Sequence, residues 1–133
     1  MTGQTNLQQL LATMHPKLQS GDYVFCTLPA PVTIDQQKII CLFREEEGIT
    51  VVIEKELADS LQLFYSFVAA WITLTVHSSL EAVGLTAAFS AALAKKGISC
   101  NVVAAFYHDH IFVNKNDAAR TMEILRNLSA SAA

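Results

Sequence analysis

Residues 71–85 read Trp71-Ile72-Thr73-Leu74-Thr75-Val76-His77-Ser78-Ser79-Leu80-Glu81-Ala82-Val83-Gly84-Leu85. Ile72, Leu74 and Val76 are apolar and alternate with Thr73 and Thr75. Alternation with period two is the mark of a strand with one buried face, because successive Cβ atoms leave a pleated sheet on opposite sides. At Ser78 the pattern changes. Ser78 and Glu81 have the spacing at which a hydroxyl and a carboxylate each bond a free amide of a starting helix, so a helix is predicted to begin there. Its buried stripe is Leu85, Ala88, Phe89, Ala92 and Leu93. Lys95 and Lys96 suit the negative end of its dipole, and Gly97 stands where the chain must leave the helix in a left-handed turn.

Reading outward, Ile98 to Tyr107 is an apolar strand, His108-Asp109 the expected turn and Ile111-Phe112-Val113 a paired strand. Asn114 or Asn116 caps a last helix with the inner face Ala118, Met122, Leu125 and Leu128, and the Ser/Ala tail is expected to fray. Upstream, Leu7, Leu10, Leu11 and Met14 mark a helix over Thr5–Met14, with Thr5 and Gln8 as its capping pair and Pro16 just past its end. Tyr23–Leu28 reads as a strand stopped by Pro29, and Pro29-Ala30-Pro31 forces an extended connection. Ile39–Phe43, the turn Glu45-Glu46-Glu47-Gly48 and Ile49–Ile53 form an antiparallel hairpin. A short helix over Glu54–Leu61 and a strand near Phe64–Val68 follow.

The chain therefore reads as α+β: two ferredoxin-like βαββαβ halves with antiparallel sheets and helices on one face, the first half degenerate. The division expected is 1–66 and 67–133. The second half lacks its own final strand, and an unpaired edge is a liability, so another segment must cover it. Strand counting nominates Tyr23–Leu28 as the donor.

Composition narrows the function. The 133 residues carry a formal charge of −3, with 52% apolar and 16% charged residues and a mean hydropathy of +0.34, which excludes a disordered chain. An acidic balance, with a pI of 5.7, argues against electrostatic binding of nucleic acid. Met1–Leu11 has no basic residue and no signal-peptide run, and no stretch reaches the roughly 18 apolar residues of a membrane span. Cys26, Cys41 and Cys100 are odd in number and each lies in an apolar run, the pattern of reduced thiols in a cytoplasmic protein. Glu45-Glu46-Glu47 reads as a solvated turn.

The stretch from Trp71 to Leu85, with Gly97-Ile98-Ser99-Cys100-Asn101-Val102-Val103 and the hairpin Phe106-Tyr107-His108-Asp109-His110-Ile111-Phe112-Val113, resembles an ACT domain. It is most similar to small bacterial proteins that carry two ACT-like halves. The resemblance implies a regulatory module that binds an amino acid or a similar small ligand at an interface between two ACT units. The contacts it implies are His77, Ser78, Ser79, Leu80, Glu81, Ala82, Val83 and Gly84 in the strand–helix loop, and Ser99, Cys100 and Asn101 at the start of the second strand. Val83-Gly84-Leu85 stands where many ACT domains have Pro-Gly-Leu, and the loop lacks an early Asp. The partners expected are a small molecule, with an amino acid foremost, and a second copy of the chain in a homodimer or higher homo-oligomer. No cofactor, metal, nucleic acid or membrane is expected.

The chemistry of the loop supports that assignment on its own terms. A helix N-terminus presents unbonded amides and partial positive charge to a carboxylate. Gly84 allows close approach, Asn101 can donate and accept, and Glu81 can meet an ammonium. Each has a structural alternative: Ser78 and Glu81 cap the helix, Gly84 permits helix–strand packing, and Asn101 satisfies a backbone group. A metal site would need His77, Cys100 and a hairpin histidine to converge. His77-Ser78 adjacent in a strand point apart, and neither a nucleophile elbow nor a phosphate loop is present, so catalysis is not expected. Trp71, Phe89 and Phe106 read as core. The alternative to a ligand-binding module is a non-catalytic interaction module in which the loop is purely structural.

Overall fold

Alternation along Ile72–Val76 becomes the core strand of the protein: Ile72, Leu74 and Val76 are buried on one side. The structure, a computed structural model, describes residues 6–76 and 82–133. In chain order its elements are α1 (Leu7–Thr13), β1 (His15–Leu18), β2 (Tyr23–Leu28), a 3-10 turn at Gln36–Lys38, β3 (Cys41–Arg44), β4 (Ile49–Glu54), α2 (Lys55–Ser60), β5 (Val68–Thr75), α3 (Leu85–Ala94), β6 (Asn101–Ala104), β7 (Asp109–Asn114), a 3-10 turn at Lys115–Asp117 and α4 (Ala118–Ala132). They form two compact units. A central unit spans Ser20–Ala69. A terminal unit joins the described residues up to Gln19 with residues 70–133. This differs from the sequence division at 66/67, because the first helix and strand pack with the last ones.

In the terminal unit the strand order is β1-β5-β7-β6. β1 pairs antiparallel with β5, from His15 opposite Thr75 to Leu18 opposite Ile72, so the missing fourth strand comes from the N-terminal segment. Tyr23–Leu28 is not that donor: only Tyr23 and Val24 meet β5, at Ala69 and Val68 within the central unit. The four-residue β1 carries Pro16 and directly follows a helix, so no periodicity announces it. Leu10 and Leu11 of α1 with Met14 just after it, Phe89 and Leu93 of α3, and Met122 and Leu125 of α4 close over Ala70, Ile72, Leu74, Ile111 and Val113 in one core. Phe89 is fully buried, as expected, but Phe106 is 76% exposed at the tip of the β6–β7 hairpin. The Ala105 amide donates to the His108 carbonyl at 3.0 Å, so Phe106-Tyr107 forms the turn and Asp109, expected in it, opens β7 instead.

In the central unit β2 pairs with β4 from Tyr23–Glu54 to Leu28–Ile49, and β3 pairs with β4. The order β3-β4-β2-β5 is the ferredoxin-like arrangement with an irregular connection and a 3-10 turn in place of the first helix. Val24, Cys26, Val51 and Ile53 share the face that packs on Ala58 of α2 and on Leu63. The α+β fold with two ferredoxin-like units, the first degenerate, is thus the observed one.

Candidate functional site

The functional reading centres on the entry to α3. Gly84 has φ +100, a conformation open to glycine and strained for any residue with a Cβ. A Cβ there would also come within 3.2 Å of Leu7 Cδ2 on α1. The Ala88 amide donates to the Gly84 carbonyl at 2.9 Å, the first bond of the helical ladder, so the amides before Ala88 lie outside that ladder. α3 begins at Leu85, and Ala82 to Gly84 are not helical, so the helix starts later than Ser78-Ser79-Leu80-Glu81 predicted. His77, Ser78, Ser79, Leu80 and Glu81 lie outside the described residues. Val83 is 84% exposed beside Gly84.

Ser99, Cys100 and Asn101 lie at the other end of α3. The ten residues of that helix separate them from Gly84 by about 15 Å. The helix closes as the sequence predicts: Gly97 has φ +74, its amide donates to the Ala94 carbonyl, and the Ile98 amide donates to the Leu93 carbonyl, both at 3.0 Å. Ser99 is exposed. Cys100 packs against the helix-side core, and burial pushes its thiol up to about 11. Asn101 Nδ2 donates to the Phe112 carbonyl at 3.2 Å across the β6–β7 ladder, which is its structural alternative realised. One terminal unit therefore does not bring the two predicted groups together.

The side of the terminal sheet away from the helices carries a polar chain that sequence reasoning missed. Trp71 Nε1 donates to His110 Nδ1 at 3.0 Å, Thr73 Oγ1 lies 3.1 Å from the same nitrogen, and Gln19 Nε2 donates to Thr73 Oγ1 at 3.0 Å. Thr73 accepts from Gln19 and donates to His110, so the network assigns the lone pair to Nδ1 and the proton to Nε2. Burial, reinforced by the charge of His108, lowers the His110 pKa. The signal was available: Trp71, Thr73, His110 and Phe112 occupy the alternate positions of two strands whose other positions are core. Among the described residues no group of three His, Cys, Asp or Glu side chains converges as a metal site would require.

The central unit has two clefts of about 360 and 340 Å³ that share Glu54 and Glu56 beside α2. Both glutamates are exposed, and α2 has only six residues, too short to present a built N-terminal site.

Two ACT domain models match the chain, one over residues 2–70 and the other over residues 66–127. None of the functionally characterised proteins compared with the chain matches it in sequence. Among solved structures, a Vibrio cholerae protein of unknown function is 48% identical, with a TM-score of 0.79 over 92% of this chain and 95% of that one. An Agrobacterium tumefaciens protein is 20% identical, with a TM-score of 0.67 over 87% and 89%. The ligand-free regulatory subunit of aspartate kinase from Thermus thermophilus shares the fold at 9% identity, with a TM-score of 0.59 over 87% of this chain and 97% of that one. The sheet order of each unit and the two family matches lead to one conclusion: the chain belongs to the ACT domain family.

Proposed function

We propose that the protein is a non-catalytic regulatory module that binds an amino acid at the N-terminal end of α3 and works as a homodimer in the cytoplasm. ACT domains are in general regulatory modules that bind amino acids. The observation that carries the reading is Gly84: its left-handed conformation turns the chain into α3, and the helix's first amides face that turn with the positive end of its dipole. His77, Ser78, Ser79, Leu80, Glu81 and Val83 complete this half of the site. Ser99, Cys100 and Asn101 come from the second copy, which is the reason for a dimer. The absence of disulfides at Cys26, Cys41 and Cys100 supports a reducing compartment. No described helix is long and apolar enough to cross a membrane.

The test is a thermal-shift and calorimetric screen of the purified chain against the amino acids. A saturable rise in midpoint with one of them is the expected result, since a ligand at 100 times its Kd adds about 2.7 kcal/mol to folding stability. A chain indifferent to all of them at millimolar concentration overturns the proposal. A second reading, an interaction module without a ligand, is favoured by one observation: Phe43 on the edge strand β3 is 68% exposed. Phe43→Glu would then abolish self-association in sedimentation experiments while leaving the fold intact.

A further inference from the structure

The tip of the β6–β7 hairpin departs from ordinary turn chemistry. Tight turns favour Gly, Pro, Asn, Asp and Ser, which reach the required angles or bond their own backbone. Residues 105–108 read Ala105-Phe106-Tyr107-His108 and contain none of these. Phe106 is 76% and Tyr107 67% exposed, and their rings meet edge to face with centroids 5.0 Å apart. The pair forms one aromatic wedge, and neither residue belongs to the terminal core. Exposed apolar side chains scattered singly need no explanation, but two packed together on a projecting turn do. A choice that works against the turn and adds nothing to the core marks a surface with a partner. Buried aromatic side chains are the usual anchors of such contacts.

The central unit offers a receptor of matching chemistry. There the 3-10 turn Gln36–Lys38 stands in place of the first helix, and α2 has only six residues. Between that turn and α2 lies the cleft of about 360 Å³, with room for two aromatic rings, lined by Gln37, Lys38, Ile40, Glu54, Glu56 and Leu57. Ile40 and Leu57 are half-buried and supply apolar surface. Lys38 offers a cation to a ring face, and the glutamates accept from a phenol or an imidazolium. Charge favours a contact between unlike units. Residues 20–69 carry three Lys/Arg against eight Asp/Glu, a formal −5, whereas residues 1–19 and 70–133 carry six against four, a formal +2. A central unit therefore repels the central unit of a second copy and attracts its terminal unit.

We propose that the hairpin tip of one copy, Phe106 and Tyr107, seats in the cleft beside α2 of a second copy. The inference deepens one part of the reading above, the homodimer, and rests on it. Phe106 packs on Ile40 and Leu57 of the second copy, and the Tyr107 hydroxyl donates to the carboxylates of its Glu54 and Glu56. His108 brings a second donor to the same carboxylates. A two-fold axis makes this contact twice, tip to cleft and cleft to tip, and so closes the assembly at two chains.

The experiment measures self-association of the full-length chain by sedimentation equilibrium. Phe106→Ser with Tyr107→Ser removes the wedge and installs residues suited to a turn. Glu54→Lys with Glu56→Lys reverses the charge of the cleft. All four positions are exposed, so both double variants are expected to melt close to the wild type. The wild type is expected to dimerise, and each double variant to dimerise about tenfold more weakly or worse. An equimolar mixture of the two is expected to associate more tightly than either alone, because a mixed dimer keeps one unaltered tip in one unaltered cleft. Both variants dimerising as the wild type does overturns the inference and leaves the homodimer standing. Weakened variants that do not recover on mixing overturn the pairing of tip with cleft. A wild type that stays monomeric at millimolar concentration overturns the inference and the homodimer together.

Discussion

His110 is held neutral by what surrounds it. Two donors, the Trp71 indole and the Thr73 hydroxyl, converge on Nδ1, and a proton added there would face both. Its folded pKa is depressed, so the stability it contributes is present above the ordinary histidine value of about 6.5 and is lost as pH falls through the folded pKa. The melting temperature of the wild type is expected to fall as pH drops below the ordinary histidine value of about 6.5, and His110→Gln is expected to flatten that part of the profile. Trp71→Phe keeps the ring and removes one donor, and should cost about 1 kcal/mol in urea unfolding. Cys100, with its thiol pushed up to about 11, is expected to resist alkylation at neutral pH, where the thiolate is scarce; mass spectrometry of iodoacetamide-treated protein checks this. Asp109 is the residue that sequence reasoning misplaced most. His-Asp-His beside two aromatics looks like a polar turn, yet Asp109, Ile111 and Val113 alternate in phase, so the strand begins at Asp109, two residues before the expected Ile111.

At the scale of the element, α3 shows both what the sequence reveals and what it hides. Its end was legible, because Gly97 and the apolar pair Leu93 and Ile98 specify a left-handed closure whose amides and carbonyls match. Arg120 Nη1 adds a bond to the Lys96 carbonyl at 3.0 Å, a cation from α4 at the negative end of the helix. Its start was not legible in the same way. Ser78 and Glu81 make a capping pattern but lie outside the described residues, and the described helix begins at Leu85 after a glycine at φ +100. Gly84→Ala should therefore destabilise by more than Gly97→Ala. The Gly97 change adds only the left-handed penalty of about 1 kcal/mol, for nothing lies within 4 Å of the added Cβ. The Gly84 change adds the same penalty and crowds Leu7. Chemical denaturation of the two variants gives the comparison. Most strands were legible from alternation or apolar runs; β1 was not, since four residues with a proline carry no period. The last helix runs on through the Ser/Ala tail expected to fray: Ser129 Oγ donates to the Ala12 carbonyl at 3.2 Å and holds it to α1.

At the scale of the molecule, the terminal unit is built from both ends of the chain. A fragment covering residues 67–133, the second half as the sequence divides it, lacks β1 and the core residues Leu10, Leu11 and Met14. It is expected to expose the edge of β5 and to aggregate or remain molten by near-ultraviolet circular dichroism and gel filtration. Rejoining residues 6–19 after Ala133 through a short linker, with residues 20–69 removed, should restore a cooperative transition, because Gln8 Nε2 reaches the Ala132 carbonyl at 3.4 Å and the ends are already neighbours. The same closure has a consequence for biosynthesis. The ribosome delivers α1 and β1 first and α4 last, so the earliest residues must wait, unsheltered, for partners made more than 100 residues later. The central unit can collapse during translation, whereas the terminal one is sealed only once α4 has been made. A nascent chain stalled before α4 should recruit holding chaperones through its idle N-terminal segment.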